Sequence, residues 1–299
     1  MLETLKFQLE MMTNPIMIGQ VVVNGLTLGG IYVLIALGFT LLFGIMRVVN
    51  FAHGEFAMLG GFALYYLYGK YQLPWLLAVP LGAAIVAFGA LILEFAVFRW
   101  FYQKMFQSMI GTLGLNMALI YGGVLIWDAF ERQIPPAFSG VLSLGPIIVP
   151  LDKLVVAAMA IVVLAAFYIV MKHTRYGLAM RAAAQDLEIA ESQGVNAILM
   201  YKVAFFIAIF MAALAGGLYG QIYSLSPTMG ERPLLVAFIV VILGGMGSIP
   251  GAALGGLILG FIESFLGTFF GALVSSFVSF GIVIALLIFR PWGLMGTPE

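Results

Sequence analysis

The chain has 299 residues, of which 63% are apolar and 9% charged, and its 13 basic residues balance 13 acidic ones. Soluble domains run at about 45–50% apolar and about 25% charged, so a water-soluble globule, a disordered chain and a basic nucleic-acid binder are all excluded. With no cysteine, disulfide and thiolate-metal chemistry is absent too. A mean hydropathy of +1.13 points to an all-α polytopic membrane protein.

Glu3, Lys6 and Glu10 do not make the basic start of a secretory signal. No cleavable leader is expected, and the first apolar run is read as a span. A hydrocarbon layer of about 30 Å needs about 20 helical residues. Charge-free runs then predict spans at 17–46, 52–69, 74–98, 108–127, 153–171, 203–223, 234–247, 251–270 and 273–290. With 17–46 long and 234–247 short, the bundle has about 8–10 transmembrane helices. All of 1–299 is read as one transmembrane domain.

Within the first span, Gly25-x-x-x-Gly29 puts small residues on one helix face, as do Gly247, Gly251 and Gly255, and Gly256 with Gly260 further on. Lipid gives helices no hydrophobic reason to associate, so close backbone contact has to do so. The Leu-Gly-Gly triplets at 28–30, 59–61, 243–245 and 254–256 have unmatched spacings, so no sequence repeat follows.

The segment NFAHGEF, Asn50 to Phe56, has two readings. Asn50 caps a helix whose first turn holds Glu55 against the dipole. Alternatively, Gly54 and its polar neighbours mark a broken helix beside a cavity, because non-helical backbone survives at membrane depth only where protein or water satisfies it. His53 is the side chain there that changes charge near neutral pH. Glu94, near the end of its span, is expected to pair with Arg99. The stretch 128–152 holds Pro135, Pro136, Pro146 and Pro150 and is read as an ordered loop, since proline removes a helix donor.

The loop 172–202 carries eight charges of both signs. Residues 178–193 are strong helix formers stopped by Gly194. Met180, Ala183, Leu187 and Ala190 share one face, with Arg181, Gln185, Glu188 and Ser192 on another. A headgroup-lying helix is one reading, but the shallow apolar face lacks Trp and Phe and suits docking into a protein cleft. Glu231-Arg232-Pro233 reads as a solvated outer turn. Glu263 stands alone in a long uncharged stretch, and intramembrane carboxylates either hydrogen-bond locally or face a water-filled path.

With alternating spans, one side collects Arg47, Arg99, Lys104, Lys172, Arg175, Arg181, Lys202 and Arg290. The other collects Lys6, Lys70, Arg132, Lys153 and Arg232. The richer side is assigned to the cytoplasm. Catalytic signatures are missing: no phosphate loop occurs, no H-E-x-x-H, and two histidines cannot build a zinc site. No cofactor, metal or catalytic residue is expected.

Five strings in order carry a resemblance: NGLTLGGIYVLIALGFTLLFGI (Asn24 to Ile45), NFAHGEF, YGLAMRAAAQDLEIAESQGVN (Tyr176 to Asn196), LGGMGSIPGAALGGLILGFIE (Leu243 to Glu263) and RPWGLMG (Arg290 to Gly296). Together they resemble the branched-chain amino-acid ABC-importer permease family, in particular the shorter of its two paralogous permeases. FRWFYQKMFQ (Phe98 to Gln107) departs from the arginine-proline-rich turn the family tends to place there.

The resemblance implies an ABC-importer permease bundle in a bacterial inner membrane. Its partner would be a homologous permease in a heterodimer, or a second copy in a homodimer. Two cytoplasmic ATP-binding subunits would drive it and an extracytoplasmic solute-binding protein would feed it. By the same similarity 172–202 is the coupling loop, with Arg181, Ala182, Ala183, Asp186, Leu187 and Gly194 meeting the ATPase, and Ala182, Ala183 and Gly194 at tight positions. Asn50, His53, Glu55 and Glu263 are the candidates for the substrate path or its gates. Relatives serving urea, amides or aromatic acids leave the solute open. The rival class is a self-sufficient ion-coupled transporter working through Glu263 and His53; an intramembrane enzyme lacks the residues.

Overall fold

The computed structural model describes residues 12–144 and 147–296. Glu3, Lys6, Glu10, Gly145 and Pro146 lie outside them. Eleven helices are present among the described residues, and seven are long and apolar enough to cross a membrane.

Helix α1, Pro15–Met46, spans about 48 Å at 1.5 Å per residue. Asn14 starts it by accepting the Ile16 N–H (2.9 Å), and it ends where Arg47 turns left-handed (φ 51°). After it come α2 (His53–Leu64), a π-helical turn (Tyr65–Lys70), α3 (Trp75–Ala96), a 3₁₀ turn (Phe98–Phe101) and α4 (Met105–Trp127). The stretch expected as loop contains a β-hairpin, β1 (Val141–Leu144) with β2 (Ile147–Pro150), Val141 opposite Pro150. Proline argues against a helix there but not against a strand's last position.

Next are α5 (Leu151–His173), α6 (Arg175–Gln185), α7 (Leu187–Ser192), α8 (Ala197–Ile222), α9 (Glu231–Gly244), α10 (Ile249–Phe270) and α11 (Ala272–Phe289). The single helix expected over 178–193 is therefore two. Asp186 is extended and its carboxylate accepts the Ile189 N–H (3.0 Å), so it caps a new helix where helix-forming neighbours would have continued the old one. Glu231-Arg232-Pro233, expected as an outer turn, is the first turn of α9.

Helices α1 and α8 cross antiparallel at the centre. A Cβ on Gly38 would lie 2.6 Å from the Ala208 carbonyl oxygen, and the Gln103 amide donates to both the Ile45 carbonyl (3.4 Å) and the Tyr201 hydroxyl (3.1 Å). Two three-helix units, α1–α3 and α8–α10, pack around that crossing with opposite sense. Antiparallel to α1 runs α10, with Gly25 against Phe261 and Gly29 against Leu257. Antiparallel to α8 runs α3, with Trp75 bonded to Gln221 (2.7 Å) and Phe88 against Phe206. Parallel to α1 runs α9 (Phe39 on Phe238), as α2 runs parallel to α8 (Gly60 on Ala213, Leu64 on Gly217). This is the arrangement of an inverted repeat, present although the sequence displays none.

The expected glycine contacts are made across α1–α10. A Cβ on Gly260 would stand 2.3 Å from the Gly29 nitrogen, and one on Gly256 2.8 Å from the Val33 nitrogen. The C-terminal strap then locks the turn after α9: Leu294 N–H donates to the Leu243 carbonyl (2.8 Å) and Met295 N–H to Gly244 (2.9 Å).

Candidate functional site

Three polar regions interrupt the apolar bundle. The first is where the two short helices begin. After α1 the chain runs non-helically through 47–52, buried at Val48, Val49, Asn50 and Ala52. Its backbone is satisfied by one stripe on α4. The Val49 N–H donates to Ser108 Oγ (3.1 Å), the Phe51 N–H to Thr112 Oγ1 (3.0 Å), and the Asn116 amide to the Phe51 carbonyl (3.2 Å). Serine, threonine and asparagine at a spacing of four on an otherwise apolar helix were the signal, and sequence reasoning passed over it.

Asn50 does not cap α2. Its side-chain oxygen accepts the Ala52 N–H (3.0 Å), making a local turn, and Ala52 holds the cap position. Two residues is the reach of an asparagine turn rather than of a helix cap. His53 is fully buried, and its Nε2 lies 3.1 Å from the Ile35 carbonyl; because a carbonyl only accepts, that nitrogen carries the proton. Glu55 is also fully buried and accepts from Asn116 (3.3 Å). The second break, 223–230, descends beside α2 until Gly230 meets Gly54: a Cβ on Gly54 would lie 2.0 Å from the Gly230 carbonyl oxygen. The positive ends of α2 and α9 thus converge, with Glu55 and Glu231 in their first turns.

Asn50 Nδ2, His53 Nδ1 and Glu55 Oε2 are buried without a hydrogen-bond partner among the described residues, as are Thr40 Oγ1 on α1 and Ser279 Oγ on α11. Native proteins keep few such atoms. Three of these five atoms lie within one six-residue stretch, 50–55.

The second region is at Glu263. It accepts from the Tyr32 hydroxyl and pairs with Arg232 (3.3 Å), the one ion pair among the described residues. Glu94, expected to meet Arg99, instead accepts from the Tyr102 hydroxyl. The Arg99 guanidinium lies over Phe95 (4.7 Å) and Trp100 (5.0 Å), because the 3₁₀ turn carries it out to the surface.

The third is the loop 172–202. Met180, Ala183 and Ala190 are buried and Leu187 partly so: the apolar face packs on the chain's own bundle. Left exposed are Tyr176, Leu178, Asp186, Glu188 and Ile189. Arg181 and Ala182 are half-buried. Gly194 has a φ of +88° and nothing within 4 Å of a Cβ position, so glycine is needed there for the backbone rather than for tight space. A cavity of about 380 Å³ between the end of α1 and this loop is lined by Arg47, Gln103, Ala183, Asp186, Leu187 and Glu188. The residues expected to meet the ATPase thus lie together at the end of the bundle that bears Arg47, far along the chain and the fold from Glu263.

Comparison with known proteins agrees with this architecture. The sequence profile described as branched-chain amino acid transport system / permease component matches residues 21–287. The chain belongs to that family. It is 32% identical to the high-affinity branched-chain amino acid transport system permease protein BraD of Pseudomonas aeruginosa, over 94% of this chain and 96% of the relative. With LivH of Escherichia coli the identity is 32%, covering 92% and 94%. With LivM of the same organism it is 25%, over 94% of this chain but 71% of the relative, so the match is to the shorter permease type. No solved structure matches. The chain is therefore a multi-pass membrane permease subunit.

Proposed function

We propose that this chain is one permease half of an ATP-driven importer that carries branched-chain amino acids across a bacterial inner membrane. A homologous permease, two cytoplasmic ATP-binding subunits and an extracytoplasmic solute-binding protein complete the machine. The observation that carries the reading is full-length similarity to BraD and LivH in a chain whose two inverted three-helix units meet at paired helix breaks. The lack of a phosphate loop fits a subunit that borrows its ATPase.

The exposed side of α6–α7 is the surface on which the ATPase would act. Closure of the ATPases biases the bundle only through contacts that differ between inward and outward states. The cavity under α7, beside Arg47 and Gln103, gives the loop room to move against α1. The stripe on α4 and the two helix breaks would supply the part that differs between states, since non-helical backbone there can exchange hydrogen-bond partners.

The test is leucine uptake into proteoliposomes. Accumulation that requires ATP, the ATP-binding subunits and the binding protein is expected. ATP-independent accumulation by this chain alone would overturn the importer reading in favour of an ion-coupled transporter. For the coupling surface, Glu188→Arg and Ile189→Asp should leave the complex assembled while substrate-stimulated ATP hydrolysis falls by at least about tenfold, a loss of about 1.4 kcal/mol in coupling. Wild-type stimulation in both variants would remove 172–202 from that role.

A further inference from the structure

At the end of the bundle opposite the coupling loop, a half-open cavity of about 330 Å³ lies between α1, α5 and α10. Lys153, Asn24 and Glu263 line it beside the hydroxyls of Thr27, Ser264, Thr268 and Tyr223, and Leu28 and Ile222 give it an apolar wall. Three features distinguish it from a packing defect.

Lys153 is half-buried and has no carboxylate within ion-pairing distance among the described residues. Its ammonium donates to Asn24 Oδ1 (2.7 Å), which leaves two of three donors free for a ligand. The adjacent Asp152 does not serve it: that carboxylate takes the Phe138 N–H (3.0 Å) and the Gln221 amide (3.3 Å). A cation held by a neutral amide and facing a cavity is a ready anion receptor.

Glu263 supplies the opposite sign. Its Oε2 is engaged by both Tyr32 and Arg232, while no hydrogen bond to Oε1 is made among the described residues. Tyr32 and Arg232 fix the carboxylate's orientation, and the remaining oxygen is available to a donor. Thr27, Ser264 and Thr268 do not compete for a charged ligand, since their hydroxyls donate to the carbonyls of Val23 (2.8 Å), Val21 (2.8 Å) and Ser264 (2.7 Å).

A site with one free cation, one free carboxylate oxygen and an apolar wall matches a small zwitterion with an aliphatic tail. The volume is at the lower end of the ~300–1,000 Å³ of small-molecule sites. We propose that this cavity is a subsite for an α-amino acid, with its carboxylate on Lys153, its ammonium on Glu263 and its side chain on Leu28 and Ile222. It would receive the solute on entry, before the path through the bundle. The inference rests on the amino-acid import reading and adds to it a place where the permease itself recognises the amino-acid head.

The experiment is equilibrium binding of radiolabelled L-leucine to the purified permease complex, with the solute-binding protein left out. Leucine is expected to bind. Leucinamide, without the carboxylate, and 4-methylpentanoate, without the ammonium, should each bind at least about tenfold more weakly, the scale of one charge-assisted contact. Lys153→Met should weaken leucine by a similar factor and bring leucinamide level with it, whereas Lys153→Arg should retain most of the affinity. The analogue series needs only the native chain, so a variant that fails to fold does not rescue the idea. No leucine binding, equal binding of either analogue, or unchanged affinity in Lys153→Met overturns the subsite. ATP-driven uptake by the complete importer is measured alongside. Leucine uptake with no binding here sinks the subsite alone, while absence of any amino-acid uptake sinks the function on which it rests.

Discussion

Glu94 on α3 and Glu263 on α10 hold related places in the two inverted units. Each is buried, each faces the long helix of the other unit's pair, and each takes a tyrosine hydroxyl, Tyr102 for one and Tyr32 for the other. Their surroundings differ. The α1–α10 interface that carries Glu263 is closed by reciprocal glycines and bridged by Tyr32, and Arg232 pairs with the same carboxylate from α9. On α3, Phe88 meets Phe206 of α8 and Glu94 shares a cavity with Lys202, while Gly89 is exposed on another side of the helix, with nothing within 4 Å of a Cβ position. One scaffold used twice carries an ion pair and backbone-close glycines in one copy, and in the other a tyrosine-bonded carboxylate beside the cavity it shares with Lys202.

That contrast can be broken most severely at Gly260. Gly260→Leu places a side chain on the Gly29 backbone, which cannot yield, and should cost at least the ~3 kcal/mol at the top of the ordinary overpacking range, seen as loss of the monodisperse detergent-solubilised complex. Gly89→Leu, on the exposed side of α3, should shift thermal stability by no more than about 0.5 kcal/mol, because open space surrounds it. Equal effects at the two positions would show that the Gly29 backbone does not limit what residue 260 can be.

Arg232→Met comes next. It leaves the Glu263 carboxylate with Tyr32 alone. The expected loss is short of the ~3–5 kcal/mol of a fully buried pair, because the Arg232 side chain is 45% exposed. A double-mutant cycle with Glu263→Gln, read by thermal unfolding, should show positive coupling, and more of it than Glu94→Gln with Arg99→Met, whose native side chains form no ion pair among the described residues. A more local loss is expected at the other end of the bundle. Asp186→Ala removes the cap of α7 and should cost about 1 kcal/mol, visible as faster amide exchange confined to 187–192.

The helices were legible in the sequence because charge-free runs and glycine spacing report directly on what lipid and close helix contact require. Gly25, Gly29, Gly256 and Gly260 face one another as that spacing demands. The break at Asp186 was hidden, since eight good helix formers surround one residue whose side chain competes for the backbone. Glu94 was assigned to Arg99 by proximity along the chain, but the 3₁₀ turn brings Tyr102 back instead. The stripe of Ser108, Thr112 and Asn116 was readable at helical spacing, yet what it serves, the backbone of 47–52, becomes evident only when two segments sixty residues apart are brought together. The inverted units left no trace in spacing, since packing partners rather than residue types repeat.

The strap at 290–296 fixes an order of events during synthesis. Helix α9 has 14 residues, about 21 Å, and cannot cross a hydrocarbon layer of about 30 Å by itself. Its last turn closes on Leu294 and Met295, residues made only after α10 and α11. Between translation of α9 and arrival of the strap, the chain holds a helix too short for the bilayer with its far end open. The insertion machinery, or α1 already in place, must shelter it for that interval. A chain stopped just before Arg290 would contain every span and still be unfinished.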